Sequence, residues 1–335
     1  MLSRVAEAVY WASRYVERAE NVARFIDVSL NLMLESSGQS DRDWASLVHT
    51  TGDQEVFEKK YGQATAESVT RFLTFDEEYS SSILSSVSRA RENARSVRDI
   101  ISREMWQELN EFYLMVMQAA QSVEPQDLID FCARVKRAGI YFEGVTNATL
   151  SRGEAYHFAH VGRMLERADK TSRILDVKYF LLQPGKASSD PAQAQSQSQS
   201  QSQSRPQAQN GASASVDQIG WTTLLNSASA LQMYRQIWHV TTPATVSEFL
   251  LLDRHFPRSI LRCVRRAQES LHSVTGTRLG SFANESERLL GRLRSELDYA
   301  NIEEIMEQGL HEYVDALQSQ LNDVGGSIQK QFFEI

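Results

Sequence analysis

Residues 14–28 read RYVERAENVARFIDV, and residues 163–177 read RMLERADKTSRILDV. The two stretches keep the same register without a gap, and they lie 149 residues apart. Each contains a Glu-Arg pair within a pattern of apolar residues at steps of three and four, which is typical of a helix. This repeat predicts that the chain is built twice from one helical unit, and repeats of this kind constrain the fold more strongly than local patterns do.

A second pair of matching segments supports the duplication. Residues 44–97 match residues 221–274 at an offset of 177. The best part of this match sets VTRFLTFD at 69–76 against VSEFLLLD at 246–253. The two matches together predict a duplication that spans most of the chain.

The two offsets differ by 28 residues, and an insert in the second copy explains the difference. The tract from Pro184 to Gly211, rich in Gln, Ser, Ala and Pro, has this length. Such a composition buries too little apolar surface to offset its ordering entropy. We therefore predict one body of two repeats, residues 1–150 and 151–335, with a disordered insert at about 184–216.

The fold class follows from the periodicity. Apolar residues from Val5 to Ile26 step by three and four, and similar helical patterns cover most of the chain, including one long stretch at 66–121. The chain has only six prolines, and no stretch shows the strict alternation of a half-buried strand. We predict an all-α helical bundle with pseudo-twofold symmetry between its repeats.

Composition excludes several classes of function. Apolar residues make up 41% of the 335 residues, and the formal net charge is −8, which argues against a nucleic-acid-binding protein. Cys132 and Cys263 lack metal or redox spacing and favour a reducing cytoplasm. The longest apolar runs are too short to span a bilayer, so we expect no membrane association.

The duplicated Glu-Arg motifs allow two interpretations. They form either a lattice of ion pairs between helices, or a pocket in which arginines hold a carboxylate or phosphate while a glutamate acts as base. The second interpretation requires a water-accessible glutamate outside a bidentate arginine pair. The residues concerned are Arg14, Glu17, Arg18, Arg163, Glu166 and Arg167.

Two further arginine rows differ between the repeats. Arg91, Arg95 and Arg98 follow one helix face in the first copy, whereas Arg254, Arg258, Arg262 and Arg265 occupy other positions in the second. A cluster of arginines in an acidic protein is suited to an anionic ligand or an acidic partner surface. A solvated helix face is the alternative, and the sequence leaves both open.

Metal and nucleotide signals are weak. Glu154 and His157, and likewise Glu269 and His272, have the Glu-x-x-His spacing of di-iron bundles, but the corresponding positions of the other repeat carry no matching ligand set. No glycine-rich loop follows a predicted strand. We therefore predict neither a metal site nor a cofactor.

Four motifs, in order along the chain, resemble those of the bacterial alpha-E domain family. They are RYVERAE at 14–20, ARENAR at 90–95, GRMLERAD at 162–169 and LDRHFPRS at 252–259. The resemblance covers the chain apart from the Gln/Ser-rich tract, and it implies an all-helical fold. The signature positions carried over are Glu17, Arg18, Arg91, Glu92, Arg95, Glu166, Arg167, Asp253 and Arg258.

The resemblance also implies partners. Genes of this family typically lie beside, or are fused to, a gene for a circularly permuted ATP-grasp protein of the amide-ligase type. A transglutaminase-like or other peptidase-like protein is often encoded nearby. The resemblance thus implies a role in making or trimming an amide-linked peptide.

We therefore expect a helical partner of an ATP-grasp-type amide ligase that binds the ligase or an anionic peptide substrate through Glu/Arg-rich grooves. The sequence favours this role over an enzyme with its own Glu/Arg acid–base site acting on a peptide or carboxylate. A purely structural helical body is a third hypothesis. The candidate ligand or interface residues are Arg14, Glu17, Arg18, Arg91, Glu92, Arg95, Arg163, Glu166, Arg167, Asp253, Arg258 and Arg262.

Overall fold

The computed structural model describes residues 1–35, 41–122, 127–182 and 210–334. All regular secondary structure in these ranges is helical, so the predicted all-α fold is confirmed. The periodicity was sufficient for this prediction because an apolar face at steps of three and four can be buried only by a helix.

The helices are α1 (Ser3–Glu35), α2 (Asp41–Thr51), α3 (Gln54–Tyr61), α4 (Ala66–Thr74), α5 (Ile83–Ser96), α6 (Arg103–Ser122), α7 (Leu128–Thr149), α8 (Glu154–Leu182), α9 (Asn210–Ser227), α10 (Leu231–Ile237), α11 (Pro243–Leu252), α12 (Ile260–Thr275), α13 (Glu285–Asp298), α14 (Ile302–Gln308) and α15 (Leu310–Ile328). A π-helical turn, Gln329–Phe333, follows α15.

The two longest helices, α1 and α8, pack against each other at the centre. Around them the packing is reciprocal: α1 contacts α5, α7 and α9, while α8 contacts α12, α15 and α2. In the same way α6 packs between α5 and α7, and α13 packs between α12 and α15. An internal duplication would give this arrangement, although the duplication itself stays a prediction.

One continuous hydrophobic core contains residues from both predicted repeats. Val9 and Phe72 from the first repeat, and Leu165, Phe249 and Leu271 from the second, belong to it and are at most 3% exposed. Because burial of apolar surface is the main stabilising term in folding, a shared core makes the two halves depend on each other. The short connection between α7 and α8 is part of this core through the buried Leu150.

The single helical stretch predicted at 66–121 is wrong, because three helices occupy it. The chain leaves the helix after Thr74 and begins α5 at Ile83. Ser82 ends the break: its hydroxyl accepts a hydrogen bond from the backbone N–H of Ser85 at 3.0 Å and donates to the carbonyl oxygen of Asp76 at 2.6 Å. Such local side-chain bonds compete with helix continuation, which the periodicity alone does not reveal.

The predicted disordered insert needs a correction at its end. Residues 184–209 lie outside the described residues, whereas residues 210–216 form the first turns of α9. The buried Trp221, Leu224 and Leu225 anchor this helix. Once a helix is anchored, extending it by further residues costs little free energy.

Within the described ranges, no helix combines the length and the apolar character that crossing a membrane requires.

Candidate functional site

The two Glu-Arg motifs lie on the two central helices and pair with each other. Arg18 on α1 donates to Glu166 on α8 from Nε at 2.7 Å and from Nη2 at 3.0 Å. Arg167 on α8 donates to Glu17 on α1 from Nε at 2.8 Å and from Nη2 at 2.7 Å. Both contacts are bidentate, the geometry in which a guanidinium and a carboxylate interact most strongly.

Both glutamates are removed from solvent, with exposed fractions of 2% for Glu17 and 0% for Glu166. Burial by itself raises a carboxyl pKa, but nearby guanidinium groups outweigh it here. Arg167 and Arg258 hold the pKa of Glu17 well below its ordinary value. Arg18, together with further cations of α1 and α8, does the same for the pKa of Glu166.

These depressed pKa values predict that acid destabilises the fold. An unfolded Glu titrates near pH ~4.3, and a group with a lower folded-state pKa contributes stability above that pH. The contribution of Glu17 and Glu166 is then lost as the pH falls from ~4.3 towards their folded-state pKa values. Urea unfolding from pH ~7 to ~3 measures this, and a free energy of unfolding that stays constant below pH ~4.3 contradicts it.

Arg258, from the turn before α12, is the second arginine that contacts Glu17. Its Nη1 lies 3.2 Å from Glu17 Oε1 and 3.2 Å from Asn21 Oδ1, and its Nη2 donates to Glu20. Glu20 also accepts from Arg24 at 2.8 Å. Residues about 240 positions apart therefore meet in one buried cluster.

Helix α7 contributes a further carboxylate to this cluster. Glu143 lies 2.6 Å from Arg167 Nη2 and 3.7 Å from Arg163 Nε. Gly139, one turn earlier, permits this approach, since a Cβ there would lie 2.7 Å from Glu20 Oε2. We name this group the Glu17 cluster; its members are Glu17, Glu20, Arg24, Glu143, Arg163, Arg167 and Arg258.

A second group surrounds Glu166. Arg14 donates to Glu166 at 2.9 Å, and Lys170 lies 3.7 Å from Glu166 and 2.8 Å from Asp169. Arg173 lies 3.3 Å from Asp169. We name this group the Glu166 cluster; its members are Arg14, Arg18, Glu166, Asp169, Lys170 and Arg173.

This geometry does not meet the requirement of the acid–base hypothesis. A general base must be within hydrogen-bond reach of a substrate proton and must accept it. Glu17 and Glu166 are both buried, and each is held in a bidentate arginine pair. In the structure these pairs join α1 to α8.

Asp253 stabilises the turn that positions Arg258. Its Oδ1 accepts hydrogen bonds from the backbone N–H groups of His255 at 2.8 Å and Phe256 at 2.6 Å. Its carbonyl oxygen accepts a hydrogen bond from the hydroxyl of Ser259, which caps α12. Asp253 therefore acts on the Glu17 cluster through backbone geometry and is not in contact with it.

The arginine row of the second repeat is divided between different environments. Arg258 is 7% exposed and belongs to the Glu17 cluster. Arg254 is exposed and lies 3.3 Å from Asp298, while Arg262 is half-buried and has no carboxylate partner in the described part of the chain. Arg258 and Arg254 of this row therefore do not share one environment.

The arginine row of the first repeat lies at the surface, and among the described residues the carboxylate that Arg91 and Arg95 contact is Glu92, outside both clusters. The guanidinium of Arg91 lies over the rings of Tyr113 and Trp106, at 4.8 Å and 5.5 Å from their centroids. Arg95 pairs with Glu92 at 2.7 Å, and both side chains are more than half exposed. The twelve candidate residues thus fall into a buried set at the α1–α8 interface and a set outside it.

Sequence reasoning missed Glu20 and Glu143 as members of the Glu17 cluster. Glu143 directly follows the buried Phe142 and lies about two turns after the buried Val135 on α7. A carboxylate beside an apolar helix face, one turn from Gly139, was the available signal for a buried ion pair.

The described residues contain no group of three or more His, Cys, Asp or Glu side chains placed to hold a metal ion. Of the residues with di-iron spacing, Glu269 pairs with Arg266 at 2.6 Å, and His272 shares a hydrogen bond of 2.6 Å with Thr277. Both therefore have structural partners.

Comparison with known proteins matches this chain to one family and to longer bacterial proteins. An uncharacterized protein of Mycobacterium bovis and another of Mycobacterium tuberculosis are each 22% identical to it over 351 residues. The alignments cover 99% of this chain but 36% of each relative, so the chain spans about a third of their length. No solved structure matches significantly.

The profile of the Alpha-E family, described as a predicted alpha-helical domain with a conserved ER motif, matches residues 1–333. The match includes both Glu-Arg motifs and the helices that complete the two buried clusters. The chain belongs to the Alpha-E family.

Proposed function

We propose that this chain is a helical partner protein of an ATP-grasp-type amide ligase. The observation that carries the proposal is the length of the relatives, in which a body like this one occupies about a third of a longer chain. We expect a protein that works beside another component to be joined, in some relatives, to further protein in one longer chain. A transglutaminase-like or peptidase-like protein is a further proposed component.

The geometry supports a binding role for a surface on α5 and α6. The Glu-Arg signatures are used inside the protein, whereas Arg91, Arg95 and Arg98 remain at its surface. The guanidinium of Arg98 lies 4.8 Å from the centroid of the Trp106 ring, which Arg91 also approaches. Arginines held against aromatic rings keep their N–H groups available and lose little side-chain entropy on binding. An acidic segment of the ligase, or its anionic peptide, fits this surface.

The test is a co-purification of the tagged full chain with the circularly permuted ATP-grasp protein from the same genome. We expect recovery of the ligase and a change in its activity when this chain is added. The double variant Arg95→Glu/Arg98→Glu is expected to weaken binding at least about tenfold, because it reverses charges at the surface.

The matched control is Arg288→Glu/Arg292→Glu on α13, whose side chains are 45% and 70% exposed. This control reverses the same number of charges on α13, which packs between α12 and α15 as α6 packs between α5 and α7. The control variant is expected to bind the ligase normally. If no ligase is recovered and its activity does not change, the proposed partnership is wrong. Equal weakening by both double variants rejects the α5–α6 surface.

A further inference from the structure

The buried interface between α1 and α8 contains more cations than carboxylates. Among the described residues of the two clusters, the carboxylates are Glu17, Glu20, Glu143, Glu166 and Asp169. The cations are Arg14, Arg18, Arg24, Arg163, Arg167, Lys170 and Arg258. Arg173 is not counted, because it has further contacts. Uncompensated charge away from water is costly, so this excess calls for an anion or for water.

In the Glu166 cluster, Arg14, Arg18 and Lys170 share Glu166, and Asp169 pairs with Lys170. Its cations are also the more accessible ones. The side chains of Arg14 and Arg18 are each 14% exposed, compared with 6% for Arg163 and for Arg167. The arginines of the Glu166 cluster are therefore the ones that solvent reaches more readily.

Contacts of α7 with α1 and of α15 with α8 allow positions on α7 and α15 to be compared. Lys136 on α7 donates to Asp27 at 2.8 Å, and Gln318 on α15 donates to Asp176 at 3.1 Å. Asp27 and Asp176 are equivalent positions of the repeated sequence. His311, two turns before Gln318, also contacts Asp176 at 3.0 Å. We take Gln318 as the counterpart of Lys136, which sets a step of 182 positions between α7 and α15.

The same step relates Glu143 to Gly325. Phe142 and Val324, which precede them, are both buried, so the two helices keep the same orientation at this level. Glu143 closes the Glu17 cluster by contacting Arg163 and Arg167, whereas α15 presents a glycine at the corresponding point.

Gly325 lies beside Arg14, the arginine that the step of 182 positions predicts. A Cβ built on Gly325 would lie 3.4 Å from Arg14 Nη1. Arg14 corresponds to Arg163 in the repeated motif, so the contact has the same geometry as on the other side. At this point α15 therefore presents no side chain to Arg14.

The two arginines have hydrogen-bonding capacity to spare and are held in position. Arg14 donates from Nε to Glu166 and from Nη1 to Tyr10, and Arg18 donates from Nε and Nη2 to Glu166. The guanidinium of Arg14 lies 5.0 Å from the Trp11 ring centroid, and that of Arg18 lies 5.3 Å from that of Tyr15. Arg14 Nη2 and Arg18 Nη1 have no hydrogen-bond acceptor among the described residues.

We propose that this chain binds an oxyanion, the carboxylate or phosphate group of a ligand, beside Gly325 at Arg14 and Arg18. The oxyanion occupies the place that Glu143 fills in the Glu17 cluster. Arginine N–H groups form strong, directional hydrogen bonds to both kinds of anion. This inference does not depend on the ligase partnership, because it concerns a site within the chain itself.

The test is a calorimetric titration of the full chain with inorganic phosphate, with sodium acetate and with sodium chloride at matched ionic strength. We expect saturable binding at a single site, with a rise in melting temperature, for phosphate or acetate but not for chloride. A tighter response to phosphate assigns a phosphate group, and a tighter response to acetate assigns a carboxylate.

Substitution at Gly325 locates the site. Gly325→Glu supplies an internal carboxylate and is expected to weaken anion binding at least about tenfold. It is also expected to raise the melting temperature in the absence of the anion. Gly326→Glu is the matched control, because a Cβ on Gly326 has nothing within 4 Å, and this variant is expected to bind as the wild type does.

A measurement on the wild type locates the site if Gly325→Glu does not fold. In a chain labelled with 15N-glycine, the Gly325 amide resonance is expected to shift with phosphate or acetate, while that of Gly62 is not. The proposal is overturned if neither anion binds more tightly than chloride. It is also overturned if Gly325→Glu retains full binding or if the Gly325 resonance does not move.

Discussion

Replacing Glu166 with alanine is expected to lower the free energy of unfolding by about 3–5 kcal/mol, because it leaves buried cations without their partner. Among the described residues, Arg18 loses its only carboxylate, and Arg14 keeps one hydrogen-bond partner, the hydroxyl of Tyr10. Lys170 retains Asp169. Urea unfolding followed by circular dichroism measures the loss.

Glu17→Ala is the informative comparison, and we expect a smaller loss than for Glu166→Ala. Arg167 keeps Glu143 at 2.6 Å, and Arg258 keeps Glu20. The exposed Glu92 supplies the control, since Glu92→Ala is expected to change the free energy of unfolding by no more than about 0.5 kcal/mol. Equal effects of Glu166→Ala and Glu92→Ala contradict the structural role.

The second large effect is expected for Arg258→Ala, again about 3–5 kcal/mol, because two buried glutamates lose a shared cation. Arg258 joins Glu17 and Glu20 on α1 to the beginning of α12, so its loss also releases α12 from the central pair. The melting temperature and the urea midpoint both report this change.

The control for Arg258→Ala is Arg262→Ala, one turn further along the chain. Arg262 is half-buried and lacks a carboxylate partner in the part of the chain that the structure describes, so we expect a change within about 0.5 kcal/mol. A loss for Arg262→Ala that equals the loss for Arg258→Ala means that removal of side-chain packing, not of the ion pair, is responsible.

Both predictions affect how functional assays of the signature residues are interpreted. Variants of Glu17, Glu166 or Arg258 that lose a cellular activity lose stability as well. Binding or activity of such variants therefore has to be compared at equal folded fraction. Surface variants such as Arg95→Glu/Arg98→Glu test function with less interference, because the Arg95 side chain is 64% exposed.

Helical positions were readily predictable, but helix ends were not. Apolar spacing identified the helical character of residues 66–121, yet the hydrogen bonds of Ser82 to Asp76 and Ser85 break that stretch. A Ser or Asp near a helix has the same appearance in the sequence whether it caps the helix or faces solvent. Its role depends on which backbone groups the rest of the fold leaves unpaired.

The candidate site was predictable in its residue types and much less so in its pairing. Helical spacing placed Glu17 and Arg18 on the same stripe as Arg14, and the repeat placed Glu166 and Arg167 likewise. The participation of Arg258 and Glu143 depends on how α12 and α7 pack against the central helices. No local pattern contains that information.

By itself, the sequence determined the all-α class and placed this chain in the Alpha-E family, because periodicity and motif spacing are properties of neighbouring residues. The tertiary structure decided that the Glu-Arg stripes face inward, and that Gly325 lies beside Arg14. The physical reason is that a charged helix stripe has the same sequence whether water or another helix covers it. Only the packing of helices far apart in the chain determines which charges are buried and which of them remain without a partner.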